Sequence, residues 1–207
     1  MTAPSPVRAP SPRQDELLEL AYRYVLVHGL SDMSLRPLAK AIGSSPRVLL
    51  FLYGSKDNLI RALLDRARAD ELAAIEAFKD AGHPAGLIDS ALQVWQWLAA
   101  AEHRHLLGLW VEAYARSLVD PAGPWGPFAE QTVRDWLGLL AARQPPARRR
   151  TQAGAAERTA VLAVLRGAML DLLATGDTDR ATHAVALVLE SLHEGRDRPG
   201  GSSSAMR

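Results

Sequence analysis

The 207-residue chain contains no cysteine, which excludes a disulfide framework and any thiolate metal site. No apolar run approaches the roughly 20 residues that a membrane-spanning helix needs, so no membrane partner is expected. Met1 to Pro12 carries prolines where a secretion signal requires a continuous apolar stretch, and a cytoplasmic setting is the expectation. Catalytic signatures are missing as well: there is no G-x-S-x-G, no H-E-x-x-H and no glycine-rich phosphate loop. The six histidines are scattered. Glu102 and His105 stand close enough to share a helix face, but no third ligand accompanies them at a recognisable spacing. Neither an enzyme, nor a metal site, nor a cofactor is expected.

What the chain does contain is an ordinary globular composition, 48% hydrophobic and 23% charged, long enough for one large domain or two small ones. The net charge of +1 hides an asymmetry. Residues 1–56 carry seven Lys/Arg against four Asp/Glu, a net +3, and the remainder carries 17 against 19, a net −2. A basic end on a near-neutral chain is the footprint of a nucleic-acid module.

Apolar periodicity predicts an all-α protein with no alternating strand pattern. Residues 1–10 and 195–207 are rich in Pro, Gly, Ser and Ala and are expected to be disordered tails. Ser11 is placed to cap a first helix, with Pro12 at its first position and Gln14 where a capping box needs it. That helix presents Leu17, Leu18, Ala21 and Val25 and stops at Gly29. A second helix begins at Ser34, a third is capped by Ser45, and Ser55 caps a long fourth running to about Asp80 and ending at Gly82. Gly43-Ser44 makes the tight turn between the second and third, which is helix-turn-helix geometry. Pro84 then opens a helix to about Glu102 that is apolar nearly all round. Further helices are expected over 105–118, 128–143, 152–174 and 178–193, with 120–127 a loop and Arg148 to Arg150 a solvated one. The domain organisation that follows is a helix-turn-helix domain over 11–56 and a larger helical domain over 57–194.

Residues 13–64 resemble the DNA-binding domain of the TetR family of transcriptional regulators. Gly29, Ser34, Leu38-Ala39, Gly43, Ser45, Tyr53, Ser55-Lys56 and Leu59 match the family pattern in order and spacing. The resemblance implies that the third helix enters the major groove, where Arg47 reads guanine. It implies further that Ser34, Arg36, Ser44, Ser45, Phe51 and Lys56 approach the DNA. Two departures stand out: Leu50 occupies a position where most relatives carry a tyrosine that grips phosphate, and Leu52 one where many carry a histidine.

Trp95, Trp110, Tyr114, Phe128, Trp136 and Met169 fall on the central helices, where the family places an effector pocket, and ordinary core packing is the competing reading. In the last two helices, small residues (Ala160, Ala163, Gly167, Ala168, then Ala181, Ala184, Ala186) lie among leucines. The resemblance implies a homodimer through this pair, binding a near-palindromic operator as double-stranded DNA and responding to a small, largely apolar effector. The alternative is a helical small-molecule-binding protein that has lost specific DNA binding, a reading that Leu50 and Leu52 leave open.

Overall fold

A computed structural model describes residues 11–30, 33–80 and 86–197, with the side chains of 79, 80 and 195–197 excepted. Among the described residues the chain forms α-helices and no strands. They are α1 (Pro12–His28), α2 (Leu35–Ala41), α3 (Pro46–Tyr53), α4 (Lys56–Asp80), α5 (Leu87–Ala99), α6 (Arg104–Val119), α7 (Phe128–Ala142), α8 (Pro146–Arg149), α9 (Gln152–Thr175) and α10 (Thr178–Asp197). A 3-10 turn, Ala101–His103, follows α5, so the helix expected to reach Glu102 ends earlier, at Ala99. Gly82, Pro84 and the predicted tail at 1–10 lie outside the described residues, as does 198–207. α10 runs through Asp197, three residues into the stretch read from sequence as a tail.

The chain divides into two units, Met1–Asp70 with Gly108–Ala129, and Glu71–Leu107 with Glu130–Arg207. The divisions fall inside α4, α6 and α7. Residue 56, where the sequence reading ended the helix-turn-helix domain, therefore lies within the first unit.

In the first unit, α1 contributes Leu17, Ala21 and Val25 to the core, each fully buried, beside Leu38 of α2, Leu49 of α3 and Leu63 of α4. Burying each such leucine contributes about 1.5–3 kcal/mol. Leu18, expected in this core, is only half-buried, while Tyr22, one turn on, is buried. The Tyr22 hydroxyl donates to Asp70 Oδ2 at 2.8 Å. Arg66 joins this lock, bonded to Glu19 and Asp70 and lying 4.7 Å over the Tyr22 ring. Its guanidinium pKa is raised, chiefly by the bond to Glu19. Residues of α6 complete the unit. Both carboxylate oxygens of Glu112 accept from the Leu30 N–H, at 2.9 and 3.1 Å, just after Gly29 closes α1 with φ 77°.

In the second unit α5 packs on both α9 and α10, which pack on each other. α5 buries Leu87, Ile88, Ala91, Val94, Trp95 and Leu98, as its nearly all-round apolar character requires. The Trp95 indole N–H donates to Thr182 Oγ1 at 3.0 Å. Arg148 to Arg150 differs from the expected solvated loop. Pro146–Arg149 forms a single helical turn. Arg148 Nε donates to Glu157 at 3.4 Å, and Arg149 donates to the Ala142 and Gln144 carbonyls. A buried Gln144 holds the corner by donating to the Gly154 carbonyl at 2.9 Å and to Glu157 at 3.0 Å. Arg149 and Arg150 nevertheless stay exposed, as the sequence leads one to expect, and Arg148 is half-buried.

Candidate nucleic-acid interface

The geometry of the helix-turn-helix follows from a few local devices. α2 ends at a turn in which Gly43 takes φ 65°, a left-handed value that glycine adopts without penalty. The Ser44 N–H returns to the Ala39 carbonyl at 2.8 Å. Ser45 then caps α3, its hydroxyl accepting from the Val48 N–H at 3.3 Å, with Pro46 in the first position. α2 and α3 pack against each other.

The far end of α3 is pinned to α1 and α4. The Tyr53 hydroxyl donates to the Gln14 carbonyl at 3.0 Å, and the Gln14 side-chain amide donates to the Leu52 carbonyl at 3.4 Å. Gln14 thus reaches across to α3 instead of completing the capping box expected at the start of α1. Asn58 of α4 donates to the Tyr53 carbonyl at 3.0 Å. With Leu49 and Tyr53 turned inward, positions 47, 48, 50 and 51 are left exposed.

Tyr53 carries a pH signature. Burial, reinforced by the negative charge of Asp15, pushes its hydroxyl up to about 12. Unfolded tyrosine loses its proton near pH 10, so the folded chain retains a proton that the unfolded chain has released. The stabilisation is complete below about pH 10 and declines as pH rises towards 12. Tyr53→Phe is expected to flatten this decline when urea midpoints at pH 8 and pH 11 are compared. An unchanged slope would assign the alkaline loss to other groups.

The residues singled out for DNA are distributed as follows. Arg36, Arg47, Lys56 and Ser34 are exposed, Ser44 and Ser45 are half-buried, and Phe51 is 80% exposed. Ser34 stands at the start of α2 without making a side-chain cap bond, which leaves its hydroxyl available. Among the described residues Arg36, Arg47 and Lys56 form no ion pair. Residues 33–56 contain four bases (Arg36, Lys40, Arg47 and Lys56) and no Asp or Glu. The arrangement offers a polyanion several free cations around one projecting helix. Of the two departures from the family pattern, Leu50 is exposed and Leu52 half-buried.

The six residues singled out for an effector pocket divide between the units. Trp110, Tyr114 and Phe128 belong to the first, and Trp95, Trp136 and Met169 to the second. The three tryptophans and Phe128 are buried, while Tyr114 and Met169 are half-buried. Around Trp136 the second unit gathers residues not singled out from sequence. Its indole N–H donates to Glu71 Oε1 at 2.7 Å, and the Thr132 hydroxyl donates to Glu71 Oε2 at 3.2 Å. Phe78 lies 6.3 Å from the Trp97 ring and 6.4 Å from that of Trp136. The sequence held a signal for Glu71: it continues the four-residue spacing Leu63, Ala67, Glu71, Ile75 along the buried face of α4.

No protein-family model and no curated protein matches the chain. Solved structures do. A TetR-like transcriptional regulator from Rhodococcus sp. RHA1 is 21% identical, covering 96% of this chain and 100% of its own, with a TM-score of 0.63. A TetR transcription regulator from Haloarcula marismortui ATCC 43049 is 16% identical over 87% of this chain and 96% of its own, with a TM-score of 0.68. The multidrug binding protein EbrR, in complex with imidazole, is 26% identical over 92% of this chain and 97% of its own, with a TM-score of 0.60. In fold, this chain is similar to the TetR-family transcriptional regulators.

Proposed function

We propose that the chain is a homodimeric, sequence-specific DNA-binding repressor, released from its operator by a small, largely apolar effector. The observation that carries this reading is the acid-free, basic stretch 33–56 around an α3 whose outer face is open. In the complex α3 lies in the major groove and Arg47 donates to guanine O6 and N7. Lys56, Arg36 and the Ser34 hydroxyl meet phosphates, Ser44 and Ser45 lie at the groove edge, and Phe51 faces the bases.

One such head reads a half-site, so two-fold pairing of chains is required for a near-palindromic operator. Support for pairing through α9 and α10 comes from their uncovered apolar positions. Leu170 is 49% and Leu187 67% exposed, with Ala163, Gly167, Ala184 and Val188 also exposed. Ala181, by contrast, is buried within the unit. The residues proposed to receive the effector are Trp95, Trp136 and Met169 in the second unit; Trp110, Tyr114 and Phe128, also singled out from sequence, belong to the first. That the fold neighbour EbrR is a multidrug binding protein supports a small molecule in this role.

The test is selection of bound duplexes from a random DNA library by the purified protein, with Arg47→Ala in parallel. A two-fold symmetric site is expected, bound about ten- to a hundredfold more weakly by the variant. No enrichment at low salt would replace this reading with that of a helical small-molecule-binding protein, and would point to Leu50 and Leu52 as the cause.

A further inference from the structure

The outer face of α3 is unusual for a surface that meets water. Of the exposed positions 47, 48, 50 and 51, three are large and apolar: Val48 is 41%, Leu50 42% and Phe51 80% exposed. Arg47 is the one charged residue among them. Large apolar side chains gathered on one exposed helix face mark a recognition surface. The surrounding stretch 33–56, with its four bases and no acid, gives that surface a polyanionic partner.

The side chains of α3, PRVLLFLY, restrict what can be read. There is no Asn or Gln to pair with adenine N6 and N7, and no Asp or Glu to accept from cytosine N4. What remains is one guanidinium for guanine and an apolar face, and the apolar group that a base pair shows in the major groove is the thymine 5-methyl.

From this we propose that the operator half-site is read through thymine 5-methyl groups packed against Phe51 and Val48, together with a single guanine read by Arg47. The inference deepens the DNA-binding reading and rests on it. Specificity at these thymines is then hydrophobic. It disappears when the methyl is removed, although every hydrogen-bonding group of the base pair is retained.

The experiment uses the site enriched by the wild-type protein, with each thymine replaced in turn by deoxyuridine, and measures the binding of wild type and Phe51→Ala. Each contacted methyl lost is expected to weaken wild-type binding about fourfold, the effect of one buried carbon. The same replacement is expected to leave Phe51→Ala nearly unaffected at the thymine that Phe51 covers, since the partner is already gone. Phe51 is exposed, so its truncation leaves the core intact, and the wild-type series alone decides should the variant fail to fold. A site insensitive to deoxyuridine throughout overturns the proposal while DNA binding stands, and frees the apolar face for a protein partner. Equal loss in both proteins at every thymine overturns the assignment to Phe51. Absence of any enriched site overturns the DNA-binding reading and the proposal with it.

Discussion

Glu71→Ala is expected to destabilise the protein by about 3–5 kcal/mol, as an orphaned buried N–H and hydroxyl combine with the cavity left behind. Glu71 is fully buried in α4, and its two oxygens accept from the Trp136 indole and the Thr132 hydroxyl, both themselves buried. Neither donor gains access to water when the carboxylate is removed. Glu71→Gln keeps the volume and a carbonyl acceptor for the Trp136 N–H, and its amide N–H₂ can donate to the Thr132 hydroxyl oxygen, which accepts as well as donates, so a smaller loss is expected. Urea unfolding followed by tryptophan fluorescence measures both. A loss under about 1 kcal/mol for the alanine variant would mean that Trp136 and Thr132 find other acceptors at little cost.

Leu187→Arg is expected to yield a monomer whose affinity for the two-fold operator falls by about a hundredfold to ten-thousandfold, the advantage that joining two reading heads supplies. Leu187 is 67% exposed on α10, so the arginine meets no internal obstacle and the fold of the single chain is kept. In a dimer packed through α9 and α10, the same arginine from each chain brings a charge into an apolar contact, where desolvation is unfavourable. Sedimentation velocity reports the assembly, and binding to a single half-site provides the control, which is expected not to change. A variant that remains dimeric places the interface elsewhere on the chain.

The fold was legible to different depths along the chain, and particular residues show why. Helix ends depend on neighbours in sequence, so Ser11, Ser45, Gly29 and Gly43 could be read directly: each acts on backbone groups within about four positions. α5 was recognisable because its apolar residues leave almost no polar face. For the interface, the basic residues could be read from the composition, whereas the part expected of α3 came from the resemblance of residues 13–64 to a family's DNA-binding domain. The openness of Phe51 and Leu50 could not, since exposure depends on which face the rest of the unit covers.

Tyr22 could be buried on α1 because Asp70, 48 residues away, offers an acceptor for its hydroxyl. Gln14 left its local capping role because the Leu52 carbonyl lies within reach. Arg148 and Arg149 found acceptors on α7 and α9, and Glu112, 82 residues from Leu30, accepts that residue's N–H. The sequence by itself thus determined the helices, the turn between α2 and α3, and the cations around it, because 3.6-residue periodicity and capping are short-range effects. Tertiary structure alone decided where the buried polar groups go, since a buried donor or acceptor must find a partner wherever the chain brings one, at whatever separation in sequence.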